Sequence, residues 1–169
     1  MVGAFSSLGC LQTKTRWLKP PLGWCKLNTD GAVSVRNGEA SCGGVVRDNL
    51  GGWLIGFSKK IGICSTFEAE LWGLYEGLSA AWMIGVDKLL VEIDCLDVVK
   101  LFADRRTVDR CVALVPYIME LLSRQWQVRL AHVRREGNCV ADWLAKHASV
   151  DDFLCHRLLL APMEVFALL

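Results

Sequence analysis

Four acids, Asp30, Glu70, Asp94 and Asp142, stand where a protein of strands and helices gathers ligands. Asp30 lies in LNTDGAVS, residues 27–34, where Leu27 and Thr29 suit one face of a strand and Asn28 and Asp30 the other. Gly31 follows directly, and a glycine inside a strand marks a close approach to the backbone. Glu70 falls early in a long helical pattern, Asp94 ends an apolar strand, and Asp142 lies about one turn into the last helix. Brought together, four carboxylates repel and raise one another's pKa values, a cost that a cation removes. Oxygen ligands without Cys or His select a hard ion, Mg²⁺ or Mn²⁺. Each acid also has a structural reading, favoured when it is taken singly. Asp30 shapes a turn, Glu70 suits a helix start, Asp94 caps the next helix, and Asp142 pairs with Arg135.

Turn signals and changes of period give the elements that must position these acids. Lys19-Pro20-Pro21 and Gly23 form an extended approach, and a first strand follows to about Val35. Asn37-Gly38 signals a hairpin into a strand over about Ala40–Arg47, and the turn Asp48–Gly52 leads to a third over Trp53–Lys59. Ser65-Thr66-Phe67-Glu68 fits a capping box ahead of a long helix that ends near Gly85. Lys88–Asp94 reads as a parallel strand because it follows a helical crossover. Helices are expected over Leu96–Ala103 and Val115–Arg124, a strand over Gln127–His132, and a helix capped by Asn138 from Cys139 to about Ala148. The fold class is therefore α/β: a mixed sheet, three antiparallel strands and then parallel ones, flanked by helices.

Bulk properties set the outer bounds. The 169 residues, 53% hydrophobic and 22% charged, are enough for one domain with a sizeable core. A net charge of +1 leaves nucleic acid neither favoured nor excluded, so charge is read locally. Between residues 124 and 147, Arg124, Arg129, Arg134, Arg135 and Lys146 face only Glu136 and Asp142, which suits a solvated surface or phosphate contacts equally. The eight cysteines show no metal-ligand spacing, and with three scattered histidines they make no zinc site. They read as free, mostly buried thiols of an intracellular protein, nuclear or cytoplasmic being left open. Residues 1–16 read as a disordered lead-in, 17–150 as the domain, and 151–169 as an apolar tail packing on it, too interrupted to span a bilayer.

The segments KLNTDGA, GGVVRDNLGGW, FEAELWGL, VEIDC and HVRREGNCVADWLA resemble, in order and spacing, the type 1 ribonuclease H family in its plant retroelement-like (reverse-transcriptase-like) branch. The resemblance covers about Trp17 to Ser149 and implies the ribonuclease H-like fold, a five-stranded mixed sheet flanked by helices. It implies an endonuclease that cuts the RNA strand of RNA–DNA hybrids with two Mg²⁺ ions, for which Mn²⁺ can substitute. Asp30 would bridge the ions, Glu70 and Asp94 would hold the one on the leaving-group side, and Asp142 would complete the one on the water side. Asn28, Gly31, Ser65, Thr66, Arg134, Arg135 and Asn138 are the expected substrate contacts, on a chain acting as a monomer away from membranes. Where many relatives place amides before the catalytic helix, this chain has Cys64-Ser65-Thr66. Residues 104–110 form no basic protrusion, and His132 reads as a strand end rather than a catalytic loop histidine. A competing expectation is a retroelement-derived nucleic-acid-binding or adaptor module with little activity.

Overall fold

The first three strands follow their turn chemistry. Strand β1 (Cys25–Val33) turns back at Gly38, whose φ of 71° suits glycine, into β2 (Glu39–Arg47). A second turn, with Asp48 accepting from the Leu50 and Gly52 N–H groups, leads to β3 (Trp53–Ile63). This third strand is longer than its sequence pattern suggests. The computed structural model describes residues 16–103 and 112–169. Expectations for residues 1–15 and 104–110 therefore lie outside the described residues.

Helix α1 (Thr66–Met83) begins with the expected capping box: Ser65 Oγ accepts from Glu68 N–H, and Glu68 Oε2 accepts from Ser65 N–H. Its crossover returns the chain as β4 (Lys88–Ile93), parallel to β1. Helices α2 (Leu96–Ala103) and α3 (Val115–Ser123) precede β5 (Gln127–His132), which lies parallel to β4. Helix α4 (Cys139–Lys146) follows a single 3₁₀ turn, Arg135–Gly137. Pro116 sits in the first turn of α3, the one place where its missing N–H costs nothing.

Among the described residues the sheet has six strands, in the order β5-β4-β1-β2-β3-β6, one more than expected. The extra strand, β6 (Cys155–Leu158), comes from the apolar tail and pairs antiparallel with β3. A half-buried ion triad fastens it: Arg157 Nη2 and Lys59 Nζ lie 2.9 and 2.7 Å from the two carboxylate oxygens of Glu76 on α1. Four residues are too short a run for an alternation signal, and the cations lie far from Glu76 in sequence, so the strand was not legible.

Each face of the sheet has its own core. Leu27, Val91 and Ile93 meet Leu71, Leu74 and Leu78 of α1 in the larger one. On the other face, Val45 packs with Val140 and Leu144 of α4 and with Val165 of the tail. The six described cysteines are free, but Cys42 alone among them is buried, so the expectation of mostly buried thiols is corrected. Among the described residues no helix is long and apolar enough to cross a membrane.

Candidate active site

Register brings the first two acids together. Thr29 of β1 is aligned with Ile93 of β4, so the next residues, Asp30 and Asp94, leave the parallel ladder side by side. Glu70 arrives from α1 because that helix lies almost on the strand. A Cβ added to Gly31 would stand 2.4 Å from the Ala69 carbonyl carbon and the Glu70 nitrogen. Asp30, Glu70 and Asp94 thereby each place a carboxylate oxygen within 4.8 Å of the others.

The electrostatics follow from that crowding. Burial, then the charges of Glu70, Asp94 and Asp142, push the Asp30 carboxyl up to about 9. Burial, and then Asp94, raise Glu70 to about 8, against the Gly31 N–H and the Arg135 guanidinium. Glu70 Oε2 is buried with no hydrogen-bond partner. An orphaned carboxylate oxygen among further carboxylates is the donor set of a hard divalent cation, so the residues fit such an ion.

Asp142 stands outside this group of three. Its two oxygens lie 2.7 and 2.8 Å from Nζ of Lys146, one helical turn later. Arg135, the pairing partner expected for Asp142, instead reaches Asp94, with Nε 3.5 Å from Oδ2. The i,i+4 spacing of Asp142 and Lys146 is a signal the sequence carries. His132 remains a strand end, its Nε2 3.1 Å from the Asp94 carbonyl oxygen.

Two of the expected substrate contacts, Asn28 and Asn138, are buried side chains. Asn28 is wholly buried, with Oδ1 accepting from Trp17 Nε1 and Arg47 Nη2 and Nδ2 donating to Glu92. This polar hub, which also pairs Lys26 with Glu92 at 2.7 Å, occupies the side chain that was to touch a sugar. Gly31 lies against the backbone of α1, with no room for a Cβ. Asn138 is buried, makes no side-chain cap, and donates from Nδ2 to the Thr29 carbonyl at 2.9 Å. It ties the start of α4 to the residue before Asp30. Of the remaining positions, Ser65 is engaged in the capping box, while Thr66, Arg134 and Arg135 are exposed.

Solved structures define the class. The chain resembles RNase H1 of Halobacterium salinarum, 28% identical, with a TM-score of 0.65 over 74% of this chain and 96% of that one. It also resembles the N-terminal RNase H domain of a Mycobacterium tuberculosis protein, 27% identical, with a TM-score of 0.68 over 74% of this chain and 92% of the other. The fold is thus of the ribonuclease H type. A family model described as reverse transcriptase-like matches residues 28–148, and the chain belongs to that family, a retroelement-like branch of ribonuclease H. An Arabidopsis thaliana protein named as a candidate ribonuclease H protein is 40% identical over 154 residues, which cover 90% of this chain. The match covers 25% of that relative's length.

Proposed function

We propose that the chain is a metal-dependent endonuclease that hydrolyses the RNA strand of RNA–DNA hybrids. The observation that carries this reading is the Asp30–Glu70–Asp94 cluster, with an orphaned buried oxygen, in a chain of this family. Asp30, Glu70 and Asp94 would hold one Mg²⁺, and Asp30 and Asp142 a second. When bound, such ions acidify an attacking water and take up charge on the leaving 3′ oxygen. The protein's own part is positioning. The β1–β4 register fixes Asp30 beside Asp94, Gly31 and the α1 backbone set Glu70, and Asn138 fixes the entry to α4. The set is complete within one chain, so the working unit is taken as a monomer. It spans about residues 17–150 with the tail packed on it.

Hybrid recognition requires sugar and phosphate contacts across a shallow minor groove rather than base readout. Thr66 and Ser65 at the start of α1, and Arg134 and Arg135 before α4, are the contacts retained. Phosphate contacts position a substrate without reading sequence. Replacing both arginines by Ala is expected to weaken binding about equally across hybrid sequences. The slope of log affinity against log salt should flatten by up to about 0.9 per lost contact, if the duplex DNA value transfers. Unchanged slope and affinity would return both residues to a solvated surface.

Cleavage of a labelled hybrid, beside duplex DNA and duplex RNA, tests the activity. Turnover is expected with Mg²⁺ or Mn²⁺ and not with Ca²⁺, whose looser coordination places the water poorly. Full turnover in EDTA would remove the metal reading. A binding module of little activity is the second reading, favoured by the burial of the Asn28 side chain in a polar hub. Tight hybrid binding without cleavage in Mg²⁺ would select it.

A further inference from the structure

On the metal-site reading above, we propose that Lys146 is a built-in counter-cation for Asp142, which the ion on the water side must displace. The geometry is specific. Lys146 Nζ is 2.7 Å from Oδ1 and 2.8 Å from Oδ2, so one ammonium engages both oxygens that the fourth acid has to offer. The other three acids converge within 4.8 Å of one another without it. Arg135 treats Asp94 differently, with one contact at 3.5 Å from a side chain that is 85% exposed. That contact is long and falls on one Asp94 oxygen, whereas the Lys146 ammonium closes on both oxygens of Asp142.

A divalent ion on the same oxygens would stand within a few ångströms of the ammonium, where like charges repel. The pair must therefore open before Asp142 can join a metal. Asp142 is one-third exposed and Lys146 more so, and exposed pairs of this kind are weak. Opening is consequently a modest tax on the second ion rather than a block. Loading is ordered: the Asp30–Glu70–Asp94 group fills first, and Asp142 is recruited only as Lys146 lets go.

Titrating the full chain with Mn²⁺ by calorimetry, as wild type, Lys146→Gln and Lys146→Arg, tests this. In Lys146→Gln the weaker ion is expected to bind about two- to fivefold more tightly, the range an exposed pair supplies, while the tighter ion is unchanged. Lys146→Arg should restore the wild-type isotherm. In an Asp142→Asn background, Lys146→Gln should change nothing. Superimposable wild-type and Lys146→Gln isotherms overturn the proposal, as does an equal gain for both ions or a gain that persists in Asp142→Asn. No Mn²⁺ binding to the wild type would sink the metal reading itself. Binding that is present but indifferent to Lys146 sinks only this inference.

Discussion

Replacing Asp30 by Asn is expected to abolish hybrid cleavage and, in the absence of divalent ions, to raise the melting temperature. The first half follows from position. Asp30 is the acid that feels the charges of the other three, and the register places it beside Asp94. Loss of a group one step out from a metal costs about 10- to 100-fold, so loss of the acid proposed to serve both ions should exceed about 100-fold. The second half follows from linkage. Asp30 rises from 3.8 to about 9 and Glu70 from 4.5 to about 8, each first by burial and then by neighbouring acids. The folded chain thus binds more protons than the unfolded one across that window, and stability falls as pH rises through it. Metal-free wild type should melt higher at pH 5 than at pH 8. Asp30→Asn should flatten that slope and gain about 2–4 °C at pH 8 for each kcal/mol of strain relieved. Mg²⁺ should stabilise the wild type and leave the variant almost unmoved. Melting in EDTA and in Mg²⁺ at both pH values, beside the cleavage assay, checks all of this. Near wild-type cleavage by the variant would remove Asp30 from the site.

Much of this arrangement is local in origin, which is why it can be read from the chain. The capping box at Ser65–Glu68, the Asn37-Gly38 turn and the helical crossover each declare themselves within a few residues. They fix where Glu70 and Asp94 must fall. What escapes is written across distance. Asn28 looks like a solvent-facing strand residue until Trp17, Arg47 and Glu92 close over it from three other segments. Asn138 carries the residue type of a helix cap, yet its amide serves the Thr29 carbonyl 109 residues away. Glu76 shows no periodic reason to be buried, and Lys59 of β3 and Arg157 of β6 supply one only once those strands lie beside α1. Local pattern reports propensity, whereas buried polar pairing depends on which strands become neighbours. The same limit applies at Gly31. The sequence says that something comes close there, and the register decides that it is the helix.

Gly31→Ala is therefore expected to damage both the fold and the site, although it adds a single methyl group. The new Cβ would lie 2.4 Å from the Ala69 carbonyl carbon and the Glu70 nitrogen, and 2.8 Å from the Ala69 oxygen. These are backbone atoms, so no side-chain rotation can relieve the contact. Helix α1 cannot yield freely either, because Leu71, Leu74 and Leu78 are fully buried against the sheet. Restoring ordinary contact requires the helix start to move by roughly 1 Å, a shift that at a reacting centre costs about 100-fold. Overpacking of this kind destabilises by about 1–3 kcal/mol, or about 2–4 °C in melting temperature for each kcal/mol. The displacement also draws Glu70 away from the Gly31 N–H that supports its charged form. Gly73→Ala makes a graded comparison, since its Cβ would approach the Asp30 carbonyl oxygen at 3.0 Å, tight but within reach of a small adjustment. The expected order of cleavage is wild type, then Gly73→Ala, then Gly31→Ala, with melting temperatures in the same order. A Gly31→Ala chain that melts lower but cleaves normally would show that the close approach serves packing alone. One that matches the wild type in both would mean that the β1–α1 contact does not position Glu70.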